Sequence, residues 1–276
     1  MKNDAMDYFK NILVPVDLTV NTEVAVEKAI ELADRGGIIH LLHVHRLKMP
    51  YTYRLLAQHD ELHYRDADKL DEWKRLIQQS VNGIEVCTWI STNGSIQEAI
   101  ERKAKQLRAD LIIIGKNSHY SWFPFLNTLV PSEIAQSTEI PVLTVKPGSL
   151  NNSVKAIVVP IASGSPDRKI EVISVICKKF TVRIYLVSFM NNNTPSDFNS
   201  SSLLTMYQRI RSFSHCPVEY AVLHGGNKAK AVLDYAKKMD ADMLLVSPDA
   251  ETKIGWPSKY ISDVLPATSK VQVLAV

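Results

Sequence analysis

The sequence predicts an α/β protein made of two tandem halves, each a mostly parallel, doubly wound sheet flanked by helices. Three observations lead there. Short apolar runs suited to buried strands alternate with stretches of helical period. The order of these segments is written twice. Between the copies lies "KPGSLNNSV", where Pro, Gly, Ser and Asn crowd together as in a linker, so the boundary is expected near Asn151, giving 1–150 and 151–276.

The repeat rests on anchors in a constant order. "NILVPVDLT" (Asn11 to Thr19) matches "KAIVVPIAS" (Lys155 to Ser163). The stretch from Asn93 to Gly115 matches that from Gly225 to Ser247, with Gly94 on Gly226 and Asp110 on Asp242. "IPVLTVK" (Ile140 to Lys146) matches "VQVLAV" (Val271 to Val276).

In the first half "NILVPV" reads as a central strand. A helix follows over Val24 to Asp34, with Val24, Ala25, Ala29 and Leu32 on one face and Gly36-Gly37 marking its end. "IIHLLHVH" is the second strand. Asp60 to Ser80 is a long helix, with Leu62, Leu70, Trp73 and Ile77 near helical spacing. "IEVCTWIS" is the third strand, Ser95 to Leu107 a helix, and "DLIIIG" the fourth strand. Ser132 to Ser137 lies in a further helix before "PVLTVK". The second half repeats this with "IVVPI", Arg168 to Lys179, "RIYLVSF", Leu203 to Ser214, "VEYAVL", Lys228 to Met239, "MLLVS" and "VQVLAV".

Composition narrows the function classes. The 276 residues are 46% hydrophobic and carry a net charge of +3, with acids and bases interspersed. No basic block or basic–aromatic alternation points to nucleic acid. No apolar run approaches the roughly 20 residues that span a bilayer, so no membrane is expected. Cys87, Cys177 and Cys216 are far apart and form no C-x-x-C, which suggests reduced thiols in a cytoplasmic protein. The N-terminal "MKNDAMDYFKN" has no apolar core of a signal peptide. Ten glycines are about half the usual share of roughly 7%, few for a chain with two phosphate loops.

The segments "ILVPVD", "LLHVH", "GSIQEAIERKAKQLRADLIIIG" and "IPVLTVK" together resemble the universal stress protein family in its tandem two-domain form. The resemblance covers the first half almost end to end and reaches the second through the repeat. It implies Rossmann-like (adenine nucleotide alpha hydrolase-like) domains, each a five-stranded parallel sheet of order 3-2-1-4-5. It also implies adenine nucleotide binding in some members, and pairing of domains through the fifth strands, here as an intramolecular pseudo-dimer. A homodimer is a further possibility it leaves open.

Binding members carry Gly, two residues, Gly, nine residues, then Gly-Ser or Gly-Thr after strand four. Glycines there let backbone N–H groups approach phosphate with no Cβ in the way. This chain has Gly115 at the first place, Ser118 at the second, Thr128 at the third and Leu129 at the hydroxyl place. Leu129 cannot donate a hydrogen bond, and Trp122, Phe123 and Phe125 crowd the loop, as a plug of the vacated phosphate region in preference to an exposed interaction patch. In the second half Ser247 stands for Gly115, and Ala162 stands for the acidic residue after strand one, Asp17. Asp17, Val44 and Gly115 still match binding positions, so an adenine nucleotide such as ATP or AMP, or a bare nucleoside, in domain 1 is the alternative to no cofactor at all.

Other candidates have plainer readings. Asp17, Thr19, Asn21 or Thr22 could cap the first helix. "ASGSPDRK" (Ala162 to Lys169) could form an anion nest, though a turn with Pro in the first helical turn explains it as well. His59 and His63 have metal-ligand spacing on a helix, but Asp60 replaces the Glu of zinc proteases, which favours solvated side chains. His43 and His45 share a strand face, and His43 suits a packing role. Cys216 reads as a small buried hydrophobe. No Ser/His/Asp or Cys/His constellation can be assembled. The expected function is therefore a non-catalytic stress-response binding protein. Its rivals are a nucleotide switch working through domain 1, with slow hydrolysis, and a metal enzyme built on the histidines.

Overall fold

A computed structural model describes residues 9–17, 20–44, 59–92, 94–116, 129–161, 166–190, 200–224, 227–248, 253–254 and 259–276. The first half runs β1 (Phe9–Val16), α1 (Val20–Leu32), β2 (Ala33–Val44), α2 (His59–Ser80), β3 (Glu85–Ser91), α3 (Ile96–Leu107), β4 (Leu111–Gly115), α4 (Pro131–Thr138) and β5 (Val142–Val145). The second runs β6 (Ala156–Pro160), α5 (Asp167–Lys179), β7 (Arg183–Met190), α6 (Ser200–Phe213), β8 (Val218–His224), α7 (Lys228–Lys238), β9 (Met243–Val246), a short pair β10 (Lys253–Ile254) and β11 (Lys259–Tyr260), α8 (Ile261–Val264) and β12 (Gln272–Ala275).

One ten-stranded sheet runs β3-β2-β1-β4-β5-β12-β9-β6-β7-β8. Each half contributes the order 3-2-1-4-5 in parallel register, and the halves join where β5 and β12 pair antiparallel, Val273 opposite Thr144 and Leu274 opposite Leu143. Strand alternation then sorts the apolar residues onto two faces. Val14, Ile113, Val145, Ile157, Leu245 and Leu274 pack on one side. Leu13, Ile112, Val142, Val158, Leu244 and Val273 pack on the other. Each core thus runs without interruption through both halves.

Local signals set the helix ends. Ser95 caps α3: its hydroxyl accepts the Glu98 N–H at 3.2 Å while the Glu98 carboxylate accepts the Ser95 N–H at 3.0 Å. One boundary differs from expectation. The first helix stops at Leu32, and the Gly36-Gly37 pair lies inside β2 rather than past a helix end. Ala33 already pairs with Phe9, and the register then slips before Asn11 meets Ile38. Gly36, at φ +80°, makes that slip and donates its N–H to the Gly83 carbonyl.

The repeated aspartates are strand clamps. Asp110 Oδ2 accepts the N–H groups of Lys10 and Asn11, both at 2.8 Å, as β1 begins. Asp242 Oδ2 does the same for Lys155 and Ala156 at 2.8 and 3.0 Å as β6 begins. Each Asp also donates its own N–H back to the first strand, Asp110 to Asn11 and Asp242 to Ala156. Asp242 carries more: its Oδ1 takes the Asn152 amide and the Lys270 ammonium, each at 3.1 Å. Burial drives the Asp242 carboxyl up, but hydrogen bonds from Lys155, Asn152, Lys270 and Ala156 outweigh it, so it titrates below its ordinary value. A carboxyl depressed in the folded state stabilises above its unfolded pKa of about 3.9. That contribution is lost as pH falls through the lower folded value. We expect Asp242→Ala to cost about 3 kcal/mol at neutral pH. Urea unfolding should show the gap between mutant and wild type closing in strong acid; a gap that persists there would mean the charge is not what matters.

The stretch between the halves is held, not loose. Pro147–Ser149 form a 3-10 turn, Ser149 is fully buried, and Gly148 donates its N–H to the Ala267 carbonyl at 2.8 Å. A Cβ on Gly148 would sit 2.2 Å from the Thr268 carbonyl oxygen. Lys28 of α1, 2% exposed, donates to Glu31 and to the Asn152 carbonyl, both at 2.7 Å. Farther out, Lys179 of α5 donates to the Ala33 carbonyl of the other half.

Candidate functional site

In this topology the connections after β1 and β4 leave on opposite faces of the sheet, opening a crevice beyond their carboxyl ends. The β1–β4 register pairs Ile12 with Leu111 and Leu13 with Ile112, and continuing it sets Gly115 beside Val16. Val16 in turn pairs with His43 of β2. The crevice is therefore bordered by Asp17, His43, Val44, Gly115 and Lys116.

Each of these residues is already engaged. Asp17 exchanges two bonds with Thr22 in the first turn of α1: its N–H donates to Thr22 Oγ1 at 3.0 Å, and the hydroxyl donates back to Asp17 Oδ1 at 2.9 Å. That is a helix-entry lock of the capping kind. His43 is buried, with Nδ1 3.0 Å from the Val16 carbonyl, a contact in which the ring donates. Val44 is 3% exposed and packs with Leu13, Leu42, Ile96 and Ile100.

Gly115 has a reason unconnected with phosphate. A Cβ there would lie 2.0 Å from the Asn21 carbonyl oxygen and 2.6 Å from its carbon. The first turn of α1 rests directly on this glycine, so packing against α1 alone requires a residue without a Cβ here.

The far wall of the crevice is apolar. Leu129, at the hydroxyl place, is 3% exposed and packs in the core with Ile114, Ile134 and Ala135. The helix that follows has Pro131 in its first turn and no side-chain cap on Val130. Proline brings no N–H to the set of free donors at a helix start. Glu133 in the same turn places negative charge where the helix dipole would otherwise favour an anion. Lys116 bridges the crevice: its side chain is buried, and Nζ donates to the Leu129 carbonyl at 2.7 Å. In the second half Lys169 of α5 reaches the Pro160 carbonyl at the end of β6 in the same fashion, at 2.6 Å.

Sequence reasoning passed over both lysines. Their one signal is a cation set in otherwise apolar or helix-entry sequence, common enough to mean nothing alone. Ser118, Thr128, Trp122, Phe123, Phe125, His45 and the Ala162–Ser165 turn lie outside the described residues. For His59 and His63 only the helical backbone is described. Among the described residues no group of three His, Cys, Asp or Glu side chains is placed to hold a metal. No described helix is long and apolar enough to cross a membrane.

Comparison with known proteins gives the following. No curated protein matches the chain in sequence. Among solved structures, a universal stress protein from Archaeoglobus fulgidus DSM 4304 superposes with TM-score 0.67 at 17% identity, over 96% of this chain and 95% of its own. A putative universal stress protein from Pseudomonas aeruginosa UCBPP-PA14 gives 0.56 at 16%, over 99% and 95%. The cytoplasmic domain of a prokaryotic cation chloride cotransporter gives 0.57 at 13%, over 97% and 95%. At such identities these likenesses speak for the fold alone. The family model described as "Universal stress protein family" matches residues 8–146, half of the chain. The chain belongs to the universal stress protein family.

Proposed function

We propose that this universal stress protein acts in the stress response by binding rather than by chemistry, and that its crevices do not take up the phosphates of ATP. The observation that carries this reading is the close packing of Asn21 on Gly115, which sets the first turn of α1 against the end of β4. The buried Leu129 and the Lys116 bridge support it from the opposite wall. Two domains meeting near Asn151 would then work as a fixed intramolecular pair through β5 and β12, in the cytoplasm. The second domain, with Ala162 in place of the acidic residue, has still less to offer an adenosine.

Each missing charge-assisted hydrogen bond costs on the order of 1.5–3 kcal/mol. Two or three of them weaken a micromolar ligand by several tenfold steps. Isothermal calorimetry is therefore expected to show no saturation by ATP below the millimolar range. ADP and AMP should behave alike, since the phosphates contribute little. A micromolar ATP isotherm that weakens stepwise through ADP and AMP would overturn the proposal.

A further inference from the structure

At the edge of the second half a cleft of about 650 Å³ opens between the last turn of α5, the end of α6 and the entry to β8. Two of the three cysteines line it, Cys177 from α5 and Cys216 from the segment leading into β8. The fold brings these distant positions onto one cleft wall together with Ser214, and the Cys216 thiol is directed at the Phe180 carbonyl, Sγ to O 3.9 Å. Ser214 Oγ accepts the Cys216 N–H at 2.9 Å, which fixes the turn that presents Cys216. Cys216 is buried, while Cys177 is half-buried on the cleft wall beside Lys178 and His215. Cys87 is elsewhere, on β3 of the first half, with its thiol toward Glu85.

We propose that Cys177 and Cys216 form a redox-active dithiol that closes to an intramolecular disulfide when hydrogen peroxide enters this cleft. No third ligating side chain completes a metal site among the described residues, and two free thiols sharing one cleft wall are the pair available to close a disulfide. The step balances without a further reagent. One thiol sulfur attacks a peroxide oxygen and becomes a sulfenic acid, releasing water. The second sulfur then displaces the hydroxyl from the first, forming the S–S bond and a second water. Peroxide takes up two electrons, and both thiol hydrogens leave in water. Burial and the neighbouring Cys216 push the Cys177 thiol up to about 12. Little thiolate is present at neutral pH, so the pair responds to sustained oxidant rather than to traces. The closed bond would tie the end of α5 to the entry of β8, the outermost strand of the sheet.

The test treats the reduced full-length protein with hydrogen peroxide, alkylates the remaining thiols and maps tryptic peptides by mass. Titratable thiols are expected to fall from three per chain to one, that one being Cys87. A single cross-linked peptide pair joining Cys177 to Cys216, lighter by two hydrogens and restored by dithiothreitol, is the expected product. Cys87→Ser should leave that product unchanged, and Cys177→Ser or Cys216→Ser should abolish it. The mapping needs only the wild-type chain, so a poorly folding variant does not blunt it. Persistence of both free thiols, their conversion to sulfinic acid without a cross-link, or linkage through Cys87 would each overturn the proposal.

Discussion

Deleting Val271 to Val276 is expected to abolish the folded monomer, leaving a chain that aggregates or forms new oligomers. β12 is hydrogen-bonded on both sides, parallel to β9 and antiparallel to β5, and it is the strand through which the two halves share a sheet. Its removal strips two neighbours of their partners at once. It also leaves β5 and β9 as apolar edges without charge to guard them, which invites pairing with other chains. Val273, Leu274 and Ala275 are at most 5% exposed and fill both cores at the junction. Losing side chains of this kind costs about 2–5 kcal/mol for each large one, against a total stability of roughly 5–15 kcal/mol. Leu274→Ala is the milder companion, expected to remain folded with about 3 kcal/mol less stability. Size-exclusion chromatography and thermal melting decide the matter. A soluble truncated chain of unchanged mass and melting temperature would show that this junction does not hold the halves together.

Gly115→Ala is the second large effect. The added methyl would lie 2.0 Å from a backbone carbonyl oxygen, and no rotamer change can relieve a clash between two main chains. Helix α1 or the end of β4 must move, at a cost of about 3 kcal/mol or more. The urea midpoint should fall by a corresponding amount, with no ligand present. A loss below about 0.5 kcal/mol, the range of an ordinary surface change, would mean that Asn21 yields freely and that the crevice is open. Gly148→Ala should behave similarly for the turn against Thr268, and because α1 packs against both sites the two costs need not add.

How far the sequence reveals this depends on the distance over which each cause acts. Strands such as Leu111–Gly115 are legible because an apolar run of that length belongs in a buried parallel sheet. Helix α3 is legible because Ser95 and Glu98 announce its start. The aspartates at 110 and 242 show up as a repeat, but their work as strand clamps appears only when the fold sets them beside Lys10 and Lys155. Gly115 invites a phosphate reading because the contact that demands it comes from Asn21, remote in sequence. The end of α1 falls earlier than its sequence suggests for a related reason: strand pairing at Ala33 overrides the usual meaning of a Gly-Gly pair. Val271, first residue of the repeated segment "VQVLAV", is only half-buried, since the pairing with β5 begins at Val273. The short pair Lys253–Ile254 and Lys259–Tyr260 has no apolar pattern to announce it. Cys216 is buried as its neighbours suggest, yet its place on one cleft wall with Cys177 depends on how α5 and β8 pack, which no local signal encodes.

Thermal unfolding in the presence of ATP tests the first-half crevice most directly. A ligand bound only by the folded state stabilises it by about 4 kcal/mol at a thousandfold excess over its Kd. For a chain of this size that amounts to a rise in melting temperature of roughly ten degrees. If ATP bound with micromolar affinity, millimolar ATP would produce that rise. The geometry of Asn21 on Gly115 and of buried Leu129 predicts a melting temperature unchanged by millimolar ATP, ADP or AMP. A rise of several degrees with ATP, absent with inorganic phosphate at equal ionic strength, would contradict it.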